Sequence, residues 1–302
     1  MNKEIYAIKE ISKSRLINYR EIYSHLNEPN ILKEISNLDF VSNIISSFQD
    51  DDNLYLVTNY FQGNTLSFYK DEIFNEEQIK FISACIIQSF SYLREKKIIH
   101  RDLRMENLVL DKDNYLNLID FSYSIKYSQK NDQKNYLIGF LTDTAPEIQK
   151  ESKYDYNSDY YRIGNIIYYL LFKKFVNVIK IEKNITEFYV NYKNNSKYSF
   201  SCIDFINKLI INDYRKRLGF KNINELVNHS FFNNYNWNDL KNKKINSPLI
   251  FKKNSSESFS CTKIKFYNKN EFNNIIQKGK YKKLLKNFNY INDLIIKNFK
   301  RK

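Results

Sequence analysis

Between Ile98 and Phe121 the chain reads IIHRDLRMENLVLDKDNYLNLIDF, and no other stretch limits so sharply what it can fold into. Three polar clusters alternate with short apolar runs: His100-Arg101-Asp102, then Asn107, then Asp120. The runs Leu108-Val109-Leu110 and Leu116-Asn117-Leu118-Ile119 predict a small hairpin that brings Asn107 and Asp120 close together. Oxygen-bearing side chains held at a strand mouth, with the Asp102 carboxylate on the preceding loop, suit a hard divalent cation and a hydroxyl that must lose its proton.

This stretch resembles the catalytic and metal-binding loops of protein kinases, HRDLxxxN followed by DFG, with Ser122 in place of the glycine. A lone His-Arg-Asp run is usually a solvated loop, but the complete spacing is hard to reach by chance. The resemblance implies an α+β, two-lobed protein-kinase-like fold with a mostly helical C-lobe. It also implies ATP and Mg2+ as cofactors, with Asp102 as base and orienter, Asn107 and Asp120 on magnesium, and Val109 beside the nucleotide. Arg104 would act on the transferring group. Serine/threonine kinases place a basic residue there, usually Lys; Arg keeps the charge on a planar fork and implies Ser or Thr as acceptor.

Tyr6-Ala7-Ile8-Lys9 looks like the kinase strand V-A-I-K, whose lysine reaches the nucleotide phosphates. Ile22, Leu26, Ile31, Leu32 and Ile35 keep roughly helical spacing through 18–37, with Pro29 awkward inside it. In the family a glutamate of that helix pairs with the lysine, and Glu28 takes the part here. Val41 to Phe48 and Leu54 to Phe61 flank a polar turn and predict a second hairpin. The resemblance then makes Thr58 the gatekeeper, and Asn59-Tyr60-Phe61 the hinge that meets the adenine. Asn75, with Gln78 after it, is a capping signature for a long helix through Leu93.

Ser122 to Phe140 matches an activation loop, closing in Ala145-Pro146-Glu147. The resemblance pairs Glu147 with Arg217 and has Asp159 cap the catalytic loop. Phe140 stands where the family has a threonine that hydrogen-bonds the catalytic aspartate, and Thr142 where kinases of basic substrates have glutamate; Glu106 is the one acidic candidate for such substrates. Residues 222–237 look like the end of the AGC-group core, with His229 as packing. Leu285, Phe288 and Tyr290 loosely match the hydrophobic motif by which AGC tails dock on their own small lobe. The same end, Tyr281 to Phe299, carries helically spaced apolar residues among lysines, so a basic amphipathic helix for a membrane surface or partner is the rival.

The expected organisation is a truncated N-lobe over 1–60, a C-lobe over 61–240 and an AGC-like tail over 241–302. The truncation follows from the eight residues before Lys9, which hold no glycine, so the glycine-rich phosphate loop is expected to be absent. The leading functional reading is a serine/threonine kinase similar to the cyclic-nucleotide-dependent (cAMP and cGMP) enzymes, acting on protein Ser or Thr. The alternatives are a pseudokinase that binds without turnover and a piece of a longer gene whose upstream part holds the loop. A regulatory protein is a further candidate partner. The net charge of +14 is dispersed among Asn, Ile and Tyr, a compositional bias that argues against a nucleic-acid partner. Cys85, Cys202 and Cys261 are odd in number and far apart, which suggests free thiols in a reducing, intracellular and cytoplasmic setting. The N-terminus lacks an apolar core, and the longest apolar run, Ile163 to Phe172, is too short to span a bilayer.

Overall fold

Alternating exposure along Tyr6–Ser12 makes it an edge strand, β1, with Tyr6 and Ile8 facing out. It opens a computed structural model that describes residues 5–16, 19–127, 144–151, 154–176, 190–191, 197–251, 288 and 290–291. After β1 come α1 (Tyr19–Glu34), β2 (Ile44–Gln49), β3 (Asn53–Asn59), α2 (Glu76–Glu95), β4 (Ile98–Ile99), β5 (Leu108–Leu110), β6 (Leu116–Leu118) and β7 (Ile125–Lys126). The rest are α3 (Pro146–Glu151), α4 (Tyr156–Phe172), α5 (Phe200–Leu209), α6 (Asn224–Val227), α7 (Trp237–Lys241) and β8 (Tyr290–Ile291). This α+β assembly, a small strand-rich part and a larger helical part, is a kinase-like fold.

The described residues divide into two compact units. The first joins the segment up to Asn37, Ser42–Tyr60 and the described residues from Ile250 on; the second joins Leu38–Val41 and Phe61–Leu249.

In the first unit a four-stranded sheet runs β1-β3-β2-β8, with Lys9 opposite Leu56 and Ser47 opposite Tyr290. The β2–β3 turn is closed by Asp50, whose Oδ1 accepts from the amides of Asp52 (2.8 Å) and Asn53 (2.7 Å). Phe288 is 1% exposed and packs with Leu16, Leu54, Ile11 and Leu26. Ser47 Oγ donates to its carbonyl, and Lys33 Nζ lies 4.3 Å from the Tyr290 ring centroid. Tyr290 and Ile291 therefore pair as a strand, whereas the rest of the stretch from Tyr281 to Phe299 over which the rival reading has an amphipathic helix lies, Phe288 apart, outside the described residues. Leu285 lies outside the described residues. The expected hairpin is also shorter than its apolar run: Val41 forms a parallel bridge with Leu118, within the second unit, and the strand begins at Ile44.

In the second unit, α2 starts with the capping box that its sequence predicts: Gln78 N donates to Asn75 Oδ1 at 2.9 Å and Asn75 N to Gln78 Oε1 at 3.0 Å. α4 is buried along nearly its whole length, and Gly164 permits its contact with α5, since a Cβ there would lie 2.7 Å from Leu209 Cβ. The packing continues past the composition change at Leu240. Lys243 Nζ reaches Asp111 Oδ2 at 2.6 Å, Tyr115 donates to the Ile245 carbonyl, and Leu249 is fully buried. Cys85 and Cys202 are buried free thiols, as their apolar surroundings suggest, while Cys261 lies outside the described residues. No helix among the described residues is long and apolar enough to cross a membrane.

Candidate active site

Six of the ten expected site residues fall in the second unit, four of them on the loop between β4 and β5 or just past β6. The loop begins with a backbone strain that needs a fixed support: Arg101 has φ 68°, in the left-handed region. Asp159 of α4 supplies that support, accepting from the amides of His100 (2.8 Å) and Arg101 (3.0 Å). His100 is fully buried, edge-on to Phe121 with centroids 4.9 Å apart. Burial lowers its pKa to about 4, so the ring is neutral near pH 7, and its Nδ1 accepts from Asp102 N at 3.3 Å. Burial pushes the Asp159 carboxyl up to about 6, against the two amide donors and the nearby Arg162 and Arg101.

Asp102 and Asn107 form one hydrogen-bonded group. Asn107 Nδ2 donates to the Asp102 carbonyl at 2.8 Å and to Asp102 Oδ2 at 3.0 Å. With both amide hydrogens spent there, the oxygen is what Asn107 has left to offer a cation. The β5–β6 hairpin then sets the second oxygen donor: Ile119 N donates to the Asn107 carbonyl at 2.9 Å, which places Asp120 next to Asn107. Asp120 takes φ 59° and accepts from Ser122 N at 3.3 Å. The strained residue is thus Asp120; Ser122 has no positive φ and tolerates the loss of glycine without strain. Burial raises the pKa of Asp102, with Asp120 adding to the rise; Arg162, Arg104 and the Asn107 hydrogen bond oppose it.

Asp120 and Asn107 fit a magnesium ion. Mg2+ is commonly held by one or two protein oxygens, the rest coming from phosphate and water. A pair of donors meets that need, although no cluster of three or more His, Cys, Asp or Glu suited to a metal exists among the described residues. Val109 is 4% exposed, sits opposite Asn117 on the hairpin and bridges to Thr65; Phe61 is half-buried. Arg104 meets Glu106, Nε to Oε2 2.8 Å, on a partly exposed surface.

In the first unit, Lys9 Nζ lies 3.0 Å from Glu28 Oε2 and 3.3 Å from Oε1. Glu28 is buried at 3%, whereas the lysine side chain is 35% exposed. Thr58, on β3, lies opposite Ala7 and Ile44. Asn59 Oδ1 accepts from Asn43 N at 2.7 Å and Asn59 N donates to the Asn43 carbonyl at 3.1 Å, extending the β2–β3 pairing within its own unit.

Two further contacts complete the second unit's part. Arg217 Nη1 and Nη2 reach Glu147 Oε1 and Oε2 at 2.6 and 2.9 Å, a buried bidentate pair. Arg162, absent from the sequence-based set, lies 3.6 Å from Asp102 Oδ1. The one signal for it in the sequence is a cation three residues after Asp159 in an otherwise largely apolar helix.

Residues 1–232 match a family model described as protein kinase domain. Over 255 residues the chain is 31% identical to a probable serine/threonine-protein kinase of Dictyostelium discoideum, covering 82% of this chain and 55% of that protein. It is 30% identical over 267 residues to the serine/threonine-protein kinase sgk-1 of Caenorhabditis elegans, covering 86% and 58%. The Sgk1 kinase of Gallus gallus is 30% identical over 257 residues, with 82% and 58% covered. The chain thus spans a little over half the length of these relatives.

Proposed function

Because the chain belongs to the protein kinase domain family, we propose that it is a serine/threonine protein kinase, transferring the γ-phosphoryl group of ATP to a protein Ser or Thr hydroxyl. The observation that carries this reading is the Asp102–Asn107 hydrogen-bonded group beside Asp120, since it joins a buried carboxylate to two oxygen donors suited to a cation. Bound Mg-ATP supplies the phosphoryl group and the cation that offsets its charge.

The residues divide the work. Asp102 orients the acceptor hydroxyl and takes its proton, and the burial that raises its pKa strengthens it as a base. Asn107, through its amide oxygen, and Asp120 hold the cation. Lys9, kept in place by Glu28, meets the phosphates. Thr58, Asn59, Phe61 and Val109 receive the nucleotide base, Asn59 through its backbone carbonyl because its Oδ1 and its amide are both engaged by Asn43. Arg104, braced by Glu106, offsets charge on the transferring group and stands where serine/threonine kinases carry a cation. The relatives named Sgk1 and the buried Phe288 beside the β2–β8 pair support a place in the AGC group. The closer kinship with cyclic-nucleotide-dependent kinases rests on the resemblance of His25-Leu26-Asn27-Glu28, beside Ile31-Leu32 and at its spacing from Lys9, to their sequences. A protein substrate, and a regulatory protein acting on it, are the partners this reading implies.

The nucleotide half of the reading is tested by melting the protein with and without Mg-ATP. A ligand at about one hundred times its dissociation constant stabilises a fold by ~2.7 kcal/mol. The wild type and Asp102→Asn should both gain stability, and Asp120→Ala should not. A wild type that melts unchanged at millimolar Mg-ATP would overturn the nucleotide site.

A further inference from the structure

Arg162 is a buried charge to which the proposed mechanism gives no part. It is 5% exposed and lies one turn beyond Asp159 on α4, so the two side chains share a face of the helix. They divide the catalytic loop between them. Asp159 holds the backbone of His100 and Arg101, and Arg162 takes the next two residues. Its Nη1 lies 3.6 Å from Asp102 Oδ1 and donates to the Leu103 carbonyl at 3.3 Å, while Nη2 donates to Thr144 Oγ1 at 3.4 Å. On the other side, Asn107 Nδ2 holds Asp102 Oδ2 at 3.0 Å. The carboxylate is gripped at both oxygens, and rotating it away from either leaves a buried group without its partner, which is costly for a hydrogen-bonding group and more so for a charge.

We propose that Arg162 is a positioning residue: its guanidinium fixes the rotamer of the Asp102 carboxylate and ties it, through Thr144, to the segment that leads into Ala145-Pro146-Glu147. A planar fork is needed because three acceptors on two segments must be met at once, and a lysine ammonium on its flexible stem would reach fewer of them. Buried Arg–carboxylate pairs are weak sources of stability, so the pair's effect lies in geometry. This inference rests on the kinase reading, since a fixed carboxylate matters only if it receives a proton.

The test compares the wild type, Arg162→Lys and Arg162→Met as the whole 302-residue chain with Mg-ATP and a serine/threonine peptide mixture. Misplacing a catalytic group by about 1 Å can cost on the order of 10²-fold in rate. Arg162→Met should therefore lose kcat on that scale while KM for ATP stays within about twofold, and Arg162→Lys should recover part of the loss. A second measurement needs no turnover: Arg162→Met lowers the melting temperature by leaving the buried Asp102 carboxylate without its counter-charge, and Asp102→Asn combined with it restores part of the fall. Unchanged kcat in a folded Arg162→Met, or an equal rise in KM for ATP, overturns the proposal, as do melting losses that simply add. Absence of transfer by the wild type instead overturns the kinase reading, and the melting comparison alone then decides whether Arg162 holds Asp102.

Discussion

Replacing Arg217 with methionine should be the most damaging single change in the second unit that touches none of the proposed chemistry. Arg217 is 1% exposed. Besides its two bonds to Glu147, Nη1 donates to the Asn157 carbonyl at 2.7 Å, and Nε and Nη2 donate to the Ile211 carbonyl at 3.1 and 2.9 Å. Methionine fills part of the volume and satisfies none of these acceptors. Removing one member of a buried ion pair costs ~3–5 kcal/mol, and each orphaned carbonyl adds up to ~1–3 kcal/mol, not additively. A loss of about 4–6 kcal/mol follows, a large share of the ~5–15 kcal/mol by which domains are stable. Trp237, the only tryptophan, lies in this unit with its ring 5.1 Å from Phe232, so urea unfolding can be followed by its fluorescence. Arg217→Met should shift the midpoint strongly downward. Adding Glu147→Leu should recover the ion-pair part, because apolar replacement of both partners is often neutral. A loss below about 1 kcal/mol, or a double variant no more stable than the single, would refute the reasoning.

Phe288→Ala, which empties the contact with Leu16 and Leu54, should cost the first unit up to ~3–5 kcal/mol and speed amide exchange in β2 at Ser46 and Ser47; unchanged exchange there would count against the tail as part of that core. The pH dependence of stability should show two opposed contributions. His100, with a native pKa of about 4 against the ordinary 6.5, stabilises fully above pH 6.5 and loses that contribution as pH falls towards 4. Asp159, raised to about 6 from 3.8, works the other way, its native state gaining relative stability as pH falls from 6 to 4. Each amounts to roughly 3 kcal/mol and they largely cancel, so Asp159→Asn should melt with a steeper fall on acidification than the wild type. Parallel curves would contradict an Asp159 carboxyl raised by burial.

The catalytic-loop spacing could be read from the sequence because its residues are close along the chain and a hairpin needs only local pattern to form. The long-range pairs Lys9–Glu28 and Glu147–Arg217 were reached through family resemblance, since no local rule joins residues so far apart. Other features were decided by tertiary partners that leave no mark in the letters. Val41 is an apolar residue in an apolar run, and only Leu118 takes it from the first unit's sheet. Lys243 reads as the start of a lysine-rich tail until its ammonium meets Asp111. Spacing around Tyr290 suits a helix as well as a strand, and at Tyr290 and Ile291 the edge of β2 makes it a strand. Arg162 is the sharpest case: a cation in a helix is usually solvated, and nothing near it in sequence says that Asp102, sixty residues earlier, is its partner.

The central claim is tested most directly by transfer of labelled γ-phosphate from Mg-ATP to a mixture of Ser, Thr and Tyr peptides, with the wild type and Asp102→Asn side by side. The account predicts label on Ser and Thr for the wild type. It predicts none for Asp102→Asn, whose melting temperature still rises with Mg-ATP. A wild type that is stabilised by Mg-ATP yet transfers no label would make this chain a non-catalytic nucleotide binder, and label on Tyr would contradict the part given to Arg104.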